Sequence, residues 1–260
     1  MQHGSHMLKE IATRLVNDSM CLSVDWDPHS RKNLAVSHSD GTLSIIELKD
    51  SCIELCETSD NAHGFEAWTI AYDGWKPNII YSGADDCHFC CWDLRQGFYH
   101  PPVFRDKKTH QMGVCSIQTS PHEENILVTG SYDEHIRVWD MRMLEHPLVD
   151  KSLELGGGVW KLKWNPFDKH YIAAACMHNG FAIVKIDESN VETVVEYKNH
   201  GSLAYGIDWF KAPPWSLVSK EDHRGKVNGL INNSTSLNEP LLASCSFYDR
   251  SLHIWRPNLY

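Results

Sequence analysis

The chain has 260 residues, of which 42% are hydrophobic and 22% are charged, and its formal net charge is −10. This composition is typical of a folded globular protein and excludes a disordered one, while the negative charge disfavours binding to a nucleic-acid backbone. No apolar run approaches the roughly 20 residues that a membrane-spanning helix requires, so we expect no membrane association.

The N-terminal residues give no secretory signal. Residues 1–7, MQHGSHM, are similar to the remnant of an expression tag, and we exclude them from the fold prediction. The nine cysteines are scattered along the chain without the regular spacing of a disulfide framework. Such a distribution is typical of reduced thiols, so we expect a cytoplasmic protein.

Five similar repeats follow one another along the rest of the chain. Each repeat begins with a short strand of alternating apolar residues, and these first strands are CLSVDWDP, AWTIAYDGWKP, GVCSIQTSP, VWKLKWNP and AYGIDWFKAP. The second strands, which run into polar turns, are NLAVSHSDG, IIYSGADD, ILVTGSYDE, YIAAACMHNG and LLASCSFYD. This alternation of short strands and turn residues predicts an all-β protein.

An Asp in the turn after the second strand precedes a Trp by six positions. The complete pairs are Asp86 with Trp92, Asp133 with Trp139 and Asp249 with Trp255, whereas Asp40 and Asn179 begin degraded forms of the pattern. The intervals between the five turn positions are 46, 47, 46 and 70 residues, and the last interval contains a polar insertion at about 212–239. A unit of about 40–45 residues with this Trp-Asp signature is a WD-repeat blade, so residues 8–260 are predicted to form a β-propeller with five recognisable blades.

Polar residues at fixed positions in two of these blades look at first like catalytic triads. One set is His63, Ser82, Asp86 and Trp92, and the next is His110, Thr129, Asp133 and Trp139. In WD-repeat blades these positions form a buried hydrogen-bond chain that fixes the turn. We therefore interpret both sets as structural.

The residues between the signature positions resemble one family more closely than a general WD repeat. FEAWTIAYDGWKPNIIYSGADD, GGGVWKLKWNPFDKHYIAAACMHNGFAI and LASCSFYDRSLHIW are similar to the WD-repeat diphthine methyl esterase of diphthamide biosynthesis. The resemblance implies a monomeric hydrolase without a cofactor. Its implied protein substrate is translation elongation factor 2, whose methylated diphthine side chain loses its methyl ester. Family members resemble seven-bladed propellers, so we expect this chain to begin near the third blade, with LKEIATRLV (8–16) as the last strand of the second.

A methylated diphthine would present a fixed quaternary ammonium near the ester, and aromatic faces and carboxylates bind such a cation. The mouth of a propeller's central channel is lined by two sets of residues. One set lies directly before each turn Asp, and the other lies near the start of each first strand. At these positions we predict His178 as general base and Asp85 or Glu66 as its orienting or cation-attracting carboxylates. The predicted aromatic binding residues are Trp68, Tyr132, Trp160, Tyr205 and Tyr248.

Several alternatives remain open at this stage. Cys115, Cys176 or Cys245 could act as a nucleophile beside His178, although we expect all three to be buried and inert. CHFCC (87–91) invites a zinc site, but it is placed on a third strand where small buried residues are expected, so we predict no metal. The chain as a whole could also be a non-catalytic WD-repeat scaffold that binds peptides.

Overall fold

The computed structural model describes residues 10–50, 52–211 and 240–259, and these residues form nineteen β-strands and no helix. The tag remnant at 1–7 and the insertion at 212–239 lie outside the described residues. In the described part, therefore, no helix is long and apolar enough to cross a membrane. Two compact units are present: the described residues up to Thr119 with Met141–Pro147, and Ser120–Asp140 with the described residues from Leu148 onward.

The first unit contains two four-stranded antiparallel sheets and one further strand. The first sheet has the order β1-β2-β3-β4, formed by Cys21–Trp26, Asn33–His38, Leu43–Lys49 and Cys52–Ser59. The second has the order β5-β6-β7-β8, formed by Thr69–Tyr72, Ile79–Gly83, Phe89–Asp93 and Phe104–Asp106. The further strand is β9, Val114–Thr119.

The second unit contains the remaining ten strands. The third repeat contributes β10, β11 and β12, formed by Ile126–Ser131, His135–Asp140 and Leu148–Glu154. The fourth repeat is the sheet β13-β14-β15-β16, formed by Lys161–Trp164, Tyr171–Ala175, Phe181–Ile186 and Val191–Tyr197. The fifth is the sheet β17-β18-β19, formed by Ala204–Trp209, Leu242–Ser246 and Leu252–Trp255. Five blades at the predicted positions confirm the all-β WD-repeat propeller class.

Each unit holds its apolar core between consecutive blades. In the first unit Leu43 of the first blade is buried with Ile80 and Trp92 of the second. In the second unit Val128 packs with Ile172, and Phe181 packs with Ile207. The second strands of the second and fourth blades, Ile79–Gly83 and Tyr171–Ala175, are buried on both faces, because each lies inside a sheet that is itself covered by neighbouring sheets.

A glycine in the second strand allows close packing against the segment that follows its blade. A Cβ atom added to Gly83 would lie 2.6 Å from Cγ1 of Val114, and one added to Gly130 would lie 2.6 Å from Cγ1 of Val159. The two glycines are equivalent residues of successive repeats. Their lack of a side chain is therefore a requirement of the repeat geometry rather than of turn conformation.

The predicted hydrogen-bond chain is present in the second blade. Trp92 Nε1 donates to Ser82 Oγ at 2.8 Å, and Ser82 Oγ lies 2.8 Å from His63 Nε2. With its proton on Nδ1, His63 donates to Asp86 Oδ1 at 3.2 Å. Burial raises the pKa of Asp86, but hydrogen bonds from His63 and from backbone amides outweigh it and lower the pKa to about 2. The four residues thus satisfy one another, as the structural interpretation predicts.

The same hydrogen-bond chain recurs in the fifth blade. Two of its members, Ser244 and His200, were not identified by the sequence analysis. Trp255 Nε1 donates to Ser244 Oγ at 3.0 Å, and Ser244 Oγ lies 3.0 Å from His200 Nε2. His200 Nδ1 lies 3.1 Å from Asp249 Oδ2. Only Asp249 and Trp255 had been recognised, because the interval of 70 residues obscured the position of the histidine.

In the third repeat the turn carboxylate has an additional ionic partner. Arg137 donates to Asp133 through Nη1 at 2.9 Å and through Nη2 at 2.8 Å, and both side chains are more than nine-tenths buried. Trp139 Nε1 donates to Thr129 Oγ1 at 2.9 Å, as expected. Asp133 therefore neutralises a buried guanidinium as well as ordering its turn.

The prediction of a strand over residues 8–16 is wrong for the part that is described. Residues 10–16 form no strand. Instead, side chains attach this segment and its continuation to the first blade: Arg14 donates to the carbonyl of Ile53 at 3.1 Å, and Asn17 donates to Thr42 Oγ1 at 2.8 Å. The described part of this segment is therefore attached through side chains rather than through a backbone ladder, unlike the strand that the family resemblance implied.

We expect Asp133→Ala to lower the free energy of unfolding by about 3–5 kcal/mol, because it leaves Arg137 buried without its counter-charge. Urea denaturation at neutral pH measures this loss. The double variant Asp133→Ala/Arg137→Met removes both charges and should recover part of the lost stability. Equal stability of the two variants would contradict a dominant role for the ion pair.

Candidate functional site

Three of the predicted site residues lie close together in the first unit. Trp68 Nε1 donates to Asp85 Oδ1 at 3.2 Å, and the amide of Asp85 donates to the carbonyl of Glu66 at 2.9 Å. Trp68 and Glu66 are half-buried, whereas Asp85 is exposed. The indole therefore orients the Asp85 carboxylate, and a ring and an exposed negative charge are presented side by side.

Four of the other predicted residues form a continuous series of rings in the second unit. The Tyr132 and Trp160 centroids are 5.7 Å apart, and those of Trp160 and Tyr205 are 5.1 Å apart. Phe247 connects the series to the last member, with centroids 5.6 Å from Tyr205 and 4.8 Å from Tyr248. We call these five side chains the aromatic row. All four contacts are tilted or edge-to-face, the arrangements that aromatic quadrupoles favour.

Phe247 is the member that the sequence analysis missed. Only the residue directly before the turn Asp was selected, so Tyr248 was chosen and its neighbour was not. Both residues follow the end of β18 at Ser246, where the alternation of strand side chains no longer applies. Phe247 and Tyr248 are 65% and 71% exposed, so two rings of the row are available to a ligand.

Backbone contacts between successive repeats position the aromatic row. The amide of Val159 donates to the carbonyl of Ser131 at 2.9 Å, which fixes the residues next to Trp160 and Tyr132. A Cβ atom on Gly158 would lie 3.0 Å from Cδ1 of Tyr132, so this glycine leaves the space that the tyrosine ring occupies. Main-chain contacts therefore hold together the two segments that carry Tyr132 and Trp160.

His178, the predicted general base, lies in the turn between β14 and β15. Its side chain is exposed, and within the described part of the chain its imidazole has no hydrogen-bond or ion-pair partner. The turn itself is ordered by Asn179, whose side chain donates to the carbonyl of Leu155 at 2.6 Å. His178 is thus accessible to a substrate, and its orientation by Asp85 or Glu66 stays a prediction.

The candidate cysteine nucleophiles differ in exposure. Cys115 and Cys176 are buried, and burial raises the pKa of the Cys176 thiol to about 12, which leaves it protonated and poorly nucleophilic. Cys245, in contrast, is exposed, so the prediction that all three thiols are buried is wrong for this residue. Its position on the three-stranded β17-β18-β19 sheet places it beside Gly206, which has no side chain to cover it.

The position of the cysteines in CHFCC (87–91) also differs in part from the prediction. Cys90 and Cys91 are fully buried on β7, as expected, and burial raises the pKa of Cys90 to about 12. Cys87 precedes the strand and lies in the turn with a φ of 64°, so it is not a third-strand residue. Its thiol is directed to the carbonyl of Asp85, at 3.7 Å, which argues against a metal shared with Cys90 and Cys91.

A different group in the first unit has the composition of a metal site. Ligand atoms of His63, Asp86 and His88 all lie within 4.8 Å of one another. Both ring nitrogens of His63 are already used, by Asp86 and by Ser82. The hydrogen-bond chain of the blade therefore accounts for this clustering, and the group gives no reason to infer a bound metal.

The repeated blades and their Trp-to-Asp hydrogen-bond chains define a protein of the WD-repeat class. In agreement, the family model described as WD domain, G-beta repeat matches residues 103–140. Diphthine methyltransferase of Mus musculus is 32% identical over 98% of this chain and 70% of its own length, and that of Homo sapiens is 34% identical over 96% and 71%. The chain belongs to the diphthine methyltransferase family. A homolog from Dictyostelium discoideum is 34% identical, and this chain covers 64% of its length.

Thiol reactivity tests the assignment of the cysteines. With an aromatic disulfide reagent, we expect the exposed Cys21, Cys52, Cys56 and Cys245 to react in the native protein. The buried Cys90, Cys91, Cys115 and Cys176 should react only after denaturation, because burial both shields the sulfur and disfavours the thiolate. Mass spectrometry of the labelled peptides identifies each site. Rapid labelling of Cys176 in the folded protein would restore it as a candidate nucleophile.

Proposed function

We propose that this protein hydrolyses the methyl ester of methylated diphthine on translation elongation factor 2, a step of diphthamide biosynthesis. Membership of the diphthine methyltransferase family supports a role in diphthine methyl chemistry. The observation that carries the proposal is the aromatic row, because the substrate side chain bears a permanent cation close to its ester. As the substrate is a translation factor, the proposed place of action is the cytoplasm, and the proposed active form is a monomer.

The aromatic row supplies the kind of surface that a quaternary ammonium group requires. Such a cation cannot donate a hydrogen bond, so aromatic faces and negative charge are its favourable partners. Each cation–ring contact contributes about 0.5–2 kcal/mol. Trp160 and Tyr205, at 5.1 Å, and the exposed Tyr248 offer several such contacts in one unit. Asp85 and Glu66 provide the carboxylates that the proposal assigns to attraction of the cation or to orientation of the base.

The proposed reaction adds water to the ester carbonyl. A general base, for which His178 is our candidate, accepts a proton from the water as its oxygen attacks. The carbon–oxygen bond to the methoxy group then breaks, the leaving oxygen takes up a proton, and methanol and a free carboxylate are formed. The relatives are named for methyl transfer, a reaction that would consume a methyl donor instead of water. Methanol release therefore distinguishes hydrolysis from transfer.

The function is tested with elongation factor 2 that carries methyl-esterified diphthine. Wild-type protein should release methanol in a molar amount equal to the new carboxylates that mass spectrometry detects. Trp160→Ala should weaken substrate binding, by about two- to thirtyfold for the loss of one cation–ring contact. Phe167→Ala is the matched control, because Phe167 is an exposed aromatic residue of the same unit outside the row, and its binding should be unchanged.

Two results would contradict the proposal in different ways. Binding of the modified factor without methanol release would identify a WD-repeat scaffold, which is the second function that this fold commonly serves. Equal effects of Trp160→Ala and Phe167→Ala would show that the aromatic row does not bind the substrate cation.

The role of His178 is tested separately. His178→Ala should lower turnover by about 10²–10⁴-fold while the substrate affinity is largely kept, because the imidazole acts only in proton transfer. Since the side chain is exposed and has no partner in the described residues, the melting temperature should not change. Retention of more than about a tenth of wild-type turnover would exclude His178 as the base. Asp85→Asn and Glu66→Gln would then be the next variants to measure.

A further inference from the structure

The first unit contains a concave surface that shares no residue with the candidate site. It is a cavity of about 650 Å³, within the range of typical ligand pockets. It lies where the end of β4 meets the segment that leads into β8, and its lining includes Ser59, Phe98, Tyr99, Arg105 and Lys107. We call this surface the outer groove. β4 and β8 are the last strands of their sheets, so two sheet edges border it.

One wall of the outer groove is aromatic and firmly held. Phe98 packs edge-to-face on Trp92 with centroids 5.4 Å apart, and its amide donates to Glu57 Oε1 at 2.6 Å. The next residue, Tyr99, is 94% exposed. An anchored loop that presents a fully exposed tyrosine beside two prolines is typical of a binding surface, where aromatic side chains are enriched.

The other wall is positively charged, in contrast to the chain as a whole. Arg105 and Lys107 both line the groove, and Arg105 is oriented by a 2.9 Å hydrogen bond from Nη2 to the carbonyl of Ala62. Their field extends to His88, whose pKa is lowered first by burial and further by these two cations, although Asp86 opposes this. Asp60 also lines the groove, so Arg105 and Lys107 leave its lining with an excess of one positive charge. On a chain of net charge −10, this local excess favours an anionic ligand.

We propose that the outer groove binds a short extended peptide in which carboxylate side chains alternate with apolar ones. The cationic wall of Arg105 and Lys107 would receive the carboxylates, and Phe98 and Tyr99 would receive the apolar side chains. The sheet edges would offer backbone groups to an extended chain, as in other cases of strand addition. This site is independent of the proposed ester hydrolysis.

The probe for this proposal is a fluorescein-labelled peptide of alternating Glu and Leu, measured by fluorescence anisotropy with the full chain. A peptide of alternating Ser and Leu tests the need for charge. We expect the acidic peptide to bind more tightly, and we expect its affinity to fall as the salt concentration rises. Lys107→Glu should weaken binding by about tenfold or more, because it places like charge opposite the peptide. Tyr99→Ala should weaken binding independently of salt.

Lys108→Glu is the matched control, because Lys108 is the exposed neighbour of Lys107 and does not line the groove. Its affinity should remain within about twofold of wild type. The exposed positions of Lys107 and Tyr99 mean that all three variants should keep the wild-type melting temperature. Equal binding of the Glu and Ser peptides would overturn the proposal, as would equal affinities of Lys107→Glu and Lys108→Glu. Methanol release from the esterified factor should be unaffected by Lys107→Glu.

Discussion

The structure depends on a hydrogen-bond chain that links an indole, a hydroxyl, an imidazole and a carboxylate inside a blade. Each member would be costly to bury alone, since an unpaired buried polar group costs about 1–3 kcal/mol, and each is acceptable because its neighbour satisfies it. Ser82 illustrates this, for its single oxygen contacts both Trp92 and His63 at 2.8 Å. This hydrogen-bond chain also fixes the turn that contains its Asp. The residue directly before the Asp is consequently presented at the same end of each blade.

In two blades, the Asp of the hydrogen-bond chain lies directly beside a predicted site residue. Asp86 is committed to the hydrogen-bond chain, whereas the adjacent Asp85 is exposed and its carboxylate accepts from the indole of Trp68. The same division holds in the fifth blade, where the half-buried Asp249 belongs to the hydrogen-bond chain and the adjacent Tyr248 is exposed. The residue that fixes the turn is thus distinct from the exposed residue before it. The exposed residue can therefore vary without loss of the blade structure.

The blades were predictable because their signals are local and repeated. The Asp-to-Trp interval and the strand alternation both lie within one repeat, and three of the five repeats carry the complete interval. His200 was not recognised because its partner Asp249 lies 49 residues away, beyond the insertion. Arg137 was overlooked because an ionic partner on the third strand is no part of the repeat signature.

For the candidate site, the sequence predicted only the type of each residue and its equivalent position in each repeat. Equivalence of the repeats selected Tyr132, Trp160 and Tyr205, which do contact one another. It did not select Phe247, because ring contacts across a turn depend on backbone conformation that the pattern leaves open. The exposure of Cys245 was missed for a related reason, since the missing side chain of Gly206 uncovers the thiol only once the register of β17 and β18 is known.

The Gly130 contact has a consequence for how the aromatic row would meet a ligand. Because Gly130 approaches Val159 closely, and Val159 donates to the carbonyl of Ser131, the two residues that carry Tyr132 and Trp160 have little freedom to move apart. Rings that are held before a ligand arrives lose little conformational entropy when it binds. On the proposed function, the same rigidity would make the row selective for size, since a cation with bulkier substituents would have to separate Tyr132 and Trp160, which neighbouring blades hold together.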